Sequence, residues 1–94
     1  MPRPEDVTTK FKIEKVLYNF DGFTVAFGES EDIGEGIAMR WNGKDDELGF
    51  PQSYGNPVWF LLPEDFSVDI FKSLLDIENS DKPSVLDILK RLLG

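Results

Sequence analysis

Asp21-Gly22, set between two β-rich runs, constrains this chain more than any other feature. Phe11, Ile13, Val16, Leu17 and Tyr18 precede it; Phe23, Thr24, Val25, Ala26 and Phe27 follow. A tight type I′ turn needs positive φ at both central residues, which Asp-Gly tolerates, and its twist matches the flanking strands. The turn then dictates a register in which Phe20 faces Phe23, Tyr18 faces Val25 and Val16 faces Phe27. Six apolar side chains fall on one face, the cross-strand pairing that stabilises a sheet. Further out, the same register sets Lys12 opposite Glu31 and the like charges Glu14 and Glu29 opposite each other. It also turns Phe11 and Ile13 to the other face. A bulge near Glu14 or a cover on the second face resolves the conflict, and the bulge is the favoured reading.

Residues 28–36 read as a loop, with three glycines, four acids and an isolated Ile33. Ile37, Met39 and Trp41 alternate with Ala38, Arg40 and Asn42, the pattern of a third strand that ends in the turn pair Asn42-Gly43. Residues 44–56 carry no period. Long loops inside a compact domain are uncommon and often functional, and this one is expected to bring Trp41 and Trp59 near each other. Residues 58–62 (VWFLL) are apolar on both faces and read as a central strand or an interface strand.

From Pro63 onward the pattern turns helical. Proline suits a first helical position, and Glu64 and Asp65 suit its electropositive start. Phe66, Ile70, Phe71, Leu74 and Ile77 keep roughly helical spacing up to a break at residues 79–82. Ser84 with Asp87 resembles a capping box, and Asp81 before Pro83 is a rival cap. Val85, Leu86, Ile88, Leu89, Leu92 and Leu93 form one apolar stripe, with Lys90 and Arg91 near the helix end. The predicted fold is α+β: about four mostly antiparallel strands with two C-terminal helical segments packed on one face. Leu74, Ile88, Leu89 and Leu92 are expected to be buried. The chain reads as one domain, 1–94, with residues 1–9 as an extended N-terminal arm.

At 94 residues and 10.7 kDa the core is thin, because small domains bury a lower fraction of their surface. Apolar residues at 58–62 and on the last helix exceed what so small a core covers, so a homodimer is expected. Ten basic against eighteen acidic side chains give −8, which argues against nucleic acid and against anionic membrane surfaces. The charge serves solubility or complements a basic protein partner. With no cysteine and no histidine, the chain lacks disulfides, thiolate chemistry and the commonest general base and metal ligand. No apolar run is long enough to span a bilayer, and the start lacks a signal-peptide core. The default location is the cytoplasm.

Four residues stand out as candidate ligand contacts: Arg40, Trp41, Tyr54 and Trp59. A guanidinium forks onto planar oxyanions and stacks on rings. Equally, Arg40 can serve as an internal pin for loop carbonyls or an acidic side chain, the favoured reading, since a long loop needs its acceptors satisfied. Trp59 and Tyr54 can line a cleft or, more simply, pack as core and loop anchor. The acids at 29–35 and at 45–47 match no calcium-loop spacing and read as a solvated rim. Asp87 is most simply a cap. The serines have no histidine to activate them, and no nucleophile elbow is present. No cofactor or metal is expected, and the chain is read as a non-enzyme.

The segment Ala-Met-Arg-Trp-Asn-Gly (38–43), followed by G-F-P-x-x-x-G-x-P-x-W-F-x-L-P (49–63), resembles a pattern in small uncharacterised bacterial proteins. Some of those proteins are carried on mobile gene cassettes. The resemblance covers about a quarter of the chain and rests on its Trp, Gly and Pro placement. It implies a bacterial source and one structural unit, and transfers no catalytic or binding residue. The leading functional reading is therefore an acidic, non-catalytic protein-interaction module that binds a basic partner or itself. The alternative is a small-molecule binder with its pocket under the 44–56 loop.

Overall fold

The computed structural model describes residues 3–32 and 34–93. Its centre is a four-stranded antiparallel sheet in the order β1-β2-β3-β6, formed by β1 (Phe11–Phe20), β2 (Phe23–Ser30), β3 (Gly34–Trp41) and β6 (Phe60–Leu61). Between β3 and β6 a small hairpin, β4 (Gln52–Ser53) and β5 (Asn56–Pro57), forms its own two-stranded sheet. Helices α1 (Ser67–Asp76) and α2 (Lys82–Leu93) close the chain. The predicted α+β class and the two helices on one face are what the chain forms. Among the described residues no helix is long and apolar enough to cross a membrane.

The β1–β2 turn is as the Asp-Gly pair dictates, with φ of 52° at Asp21 and 82° at Gly22. Phe20 pairs with Phe23 and Tyr18 with Val25, as predicted. Two register shifts follow along β1, one at Leu17 and one at Glu14. The second is the predicted bulge. The first was not predicted: it pairs Val16 with Ala26 and Lys15 with Phe27, so Val16 leaves the expected ladder and fully buried Leu17 takes its place. Lys12 accordingly meets Glu29 rather than Glu31. Glu14 escapes Glu29 and reaches Arg91 of α2 at 2.9 Å. The Arg91 guanidinium also lies 5.4 Å from the centre of the Phe27 ring.

The helix-side core gathers Leu17, Val25, Phe27 and Ile37 from the sheet against Phe71, Leu74, Val85 and Ile88. Leu74 and Ile88 are buried as expected, Leu89 is half-buried, and Leu92 is exposed because it lies beyond the edge of the helix contact. Pro63 stands just before the first helical residue, since a 3-10 turn, Glu64–Phe66, follows it and runs into α1; Phe66 and Ile77 are exposed at either end of that helix. Asp81 caps α2, accepting from the Ser84 amide and hydroxyl, so the Ser84–Asp87 box does not form and Asp87 lies within the helix.

The second face is covered as well. Val7, Phe11, Ala26, Ala38 and Trp59 form a separate core there. Residues 3–9 are not extended: Pro4–Asp6 makes a 3-10 turn that seats Pro4 and Val7 inward. The 28–36 stretch is mostly strand rather than loop, since β2 runs to Ser30 and β3 starts at Gly34. Ile33, read as an isolated apolar loop residue, lies outside the described residues. Gly28 is inside β2 because β1 and the Phe11 ring press on it. A Cβ there would stand 2.9 Å from both the Lys12 carbonyl carbon and the tip of Phe11. Residues 58–62 are not a central strand: only Phe60 and Leu61 pair, at the sheet edge, and Phe60 is exposed.

Candidate functional site

At the end of the sheet beyond the helices, strand pairing aligns a row of aromatic rings. Phe20 opposes Phe23, Phe23 opposes Trp41, and Trp41 opposes Phe50, so all four project from one face. That face is the one the helices cover further along, because Ile37 and Met39 share the parity of Trp41. Phe23 and Trp41 meet edge to face with centroids 4.6 Å apart. Phe60, opposite Met39, extends the row along the outer edge. Phe20 is 52% exposed, Trp41 55%, Phe60 55% and Phe50 67%. Large rings left open side by side are the usual mark of a binding surface, whereas scattered ones need no explanation.

The opposite face at this end is polar, buried and covered by residues 43–58. Arg40, only 1% exposed, donates from Nη1 to the Val58 carbonyl at 2.6 Å and from Nη2 to the Leu48 carbonyl. Its Nε has no hydrogen-bond partner among the described residues, and burial lowers its pKa from the usual arginine range. Beside it, Thr24 donates to Asn42 at 3.0 Å, and Asn19 accepts from both. The loop reaches β3 through reciprocal bonds between Trp41 and Phe50, 2.7 and 2.9 Å long. Gly49 makes this return tight enough: its φ is +76°, and a Cβ would lie 2.7 Å from Arg40 Nη2.

The four sequence candidates do not form one site. Trp41 stands in the open aromatic row, whereas Trp59 is buried on the other face against Phe11, with centroids 5.5 Å apart. The expectation that the loop brings the tryptophans together is therefore overturned: alternation along β3 and the return of the chain along its edge set them on opposite faces. Tyr54 is fully exposed at the tip of the β4–β5 hairpin, in a Tyr54-Gly55 turn with φ of 51° and 77°. Tyr54 and Trp59 do share one open hollow of about 410 Å³, with Lys10, Asp32, Asn56 and Leu61. Arg40 lines neither this hollow nor the one beside Trp41.

Trp59 also holds the N-terminal segment, since its indole N–H donates to the Val7 carbonyl at 2.6 Å. Trp59→Phe keeps most of the ring packing but leaves that buried acceptor empty. The expected loss is about 1–2 kcal/mol, read as a lower denaturation midpoint with an unchanged slope. The same variant should speed amide exchange at Val7 more than at Phe27.

Phe20, Phe50 and Phe60 were not singled out from the sequence. Their alignment with Trp41 depends on hairpin register and on where the loop rejoins β3. Among the described residues no group of three or more acidic side chains gathers to hold a metal ion. Compared with protein-family models, curated proteins and solved structures, the chain has no match.

Proposed function

We propose that this chain is a non-catalytic protein-interaction module that docks its partner on the row Phe20, Phe23, Trp41 and Phe50. The observation that supports the reading is the exposure of Phe20, Trp41 and Phe50 together on one sheet face, with half-buried Phe23 between them. Aromatic residues dominate the energetic centres of protein interfaces because each removes a large apolar area from water with little rotamer loss. A basic protein is the favoured occupant and a second copy of the chain is the rival one. The small-molecule reading rests on the other hollow, where Tyr54 and Trp59 meet.

Selection from a random peptide library displayed on phage, with the full chain as bait, tests the reading. Selected peptides should bind the wild type and lose at least about tenfold in affinity to the Trp41→Ala/Phe50→Ala double variant. Trp41 meets Phe23 edge to face and is only half exposed, so the variant should melt a few degrees lower, and binding is compared well below that melt. Peptides indifferent to these substitutions but lost on Tyr54→Ala would instead favour the ligand hollow. A dimer in sedimentation equilibrium that Trp41→Ala/Phe50→Ala dissolves would make a second copy the occupant.

A further inference from the structure

We propose that the hollow beside Trp41 receives a cationic side chain, lysine or arginine, from the docked partner. This inference rests on the docking role proposed above and adds the chemistry of what docks. The hollow holds about 460 Å³ between the end of β3 and the 43–49 loop, and Trp41, Glu47, Leu48, Phe50 and Gln52 line it. Two aromatic rings and a carboxylate around one open space form the environment an organic cation prefers. The ring faces attract it through their quadrupoles, tryptophan most strongly, and the carboxylate supplies the opposing charge.

Glu47 is free to do so. One of its oxygens accepts from the Lys44 amide at 2.9 Å, which fixes the loop and orients the carboxylate. It joins no ion pair among the described residues. The Gln52 amide, bonded to the Gly49 carbonyl at 2.8 Å, steadies the far wall.

The charge around the row points the same way. Asp21 is in the β1–β2 turn next to Phe20, and Asp45, Asp46 and Glu47 follow one another in the loop. The Asn42 amide donates to the Gly22 carbonyl at 2.7 Å and joins turn to loop, which ties the acid-bearing turn next to Phe20 to the end of β3, where the acidic loop segment begins. A two-fold dimer built on this row would bring two copies of these acidic segments into one interface, because an isologous contact uses the same patch twice. Like charges set across an interface oppose association, whereas a basic segment is drawn in by the same field. The occupant is therefore a basic, partly apolar segment of another protein.

The peptides from the selection described above are the probes. They should be enriched in lysine or arginine beside an apolar residue, and their affinity should fall as salt rises, since exposed charges are screened. Replacing the key lysine of a selected peptide by norleucine should weaken binding roughly fivefold, a change made without touching the protein. Glu47→Gln keeps an acceptor for the Lys44 amide, so the melt should hold while affinity drops by a similar factor and the salt dependence flattens. Neutral or acidic peptides that need Trp41 and Phe50 but ignore Glu47→Gln would overturn the cation site and leave the docking role standing. Peptides that ignore Trp41 and Phe50, or a selection that yields none, would overturn both.

Discussion

Arg40→Ala is expected to lower the melting temperature by about 15 °C. The side chain is buried and holds two carbonyls, of Leu48 and Val58, from separate parts of the covering loop. A hydrogen bond from a charged donor is worth about 1.5–3 kcal/mol, and stranding its buried acceptor adds a desolvation cost. Against this stands the cost of burying a guanidinium, whose lowered pKa records it and which alanine removes. The balance is a loss of about 3 kcal/mol, and each kcal/mol moves the midpoint by about 4–8 °C in a domain of this size. Arg40→Lys should recover only part of the loss, since one ammonium cannot match the two-armed fork. A melt of Arg40→Ala equal to or above wild type would mean that the arginine waits for an anion instead.

Gly49→Ala should be as damaging, for a reason that combines conformation with space. Its φ of +76° is unfavourable for any residue with a side chain, and an added Cβ would collide with the Trp41 carbonyl and lie 2.6 Å from the Asn42 carbonyl carbon. Both obstacles are backbone, so the loop must retreat from β3 and pull the Arg40 fork and the Trp41–Phe50 pairing with it. The expected cost is about 3 kcal/mol or more, at the upper end for a residue forced into a rare backbone region. Gly55→Ala is the control. Its φ is almost the same, +77°, but nothing stands within 4 Å of an added Cβ. It should lose only about 1–2 kcal/mol. Equal losses at the two glycines would show that close packing at Gly49 contributes nothing.

Local chemistry made much of this fold legible, and long-range geometry hid the rest. Asp21-Gly22 announced its turn because few residue pairs accept that backbone. The clash of Glu14 with Glu29 in an unbroken register disclosed one bulge, but no such conflict marked the bulge at Leu17, since Val16 and Leu17 are equally apolar. The two answers offered for that conflict, a bulge and a covered second face, both hold. The β4–β5 hairpin was missed because Tyr54 is an unusual residue for a positive φ. At the candidate site, the two-armed contact of Arg40 with loop carbonyls follows the pin reading, whereas the positions of Trp41 and Trp59 had been expected together. Which face a tryptophan takes depends on alternation and on the path of the returning chain, and neither is encoded in its neighbours.

The way β1 and β6 finish the sheet bears on how the molecule behaves when concentrated. Two bulges break the outer margin of β1, and the Leu17 carbonyl there is already taken by the Asp81 amide at 2.7 Å. At the other margin only two residues of β6 pair before Pro63, which has no amide hydrogen to offer. Neither margin is a template on which another strand can lengthen the sheet, the route by which exposed strands recruit copy after copy. The row of Phe20, Trp41 and Phe50 projects from the face of the sheet and not from either margin. Under the docking role proposed above, a flank that is occupied once is finished, so assembly through it would end in discrete particles and not in growing fibres.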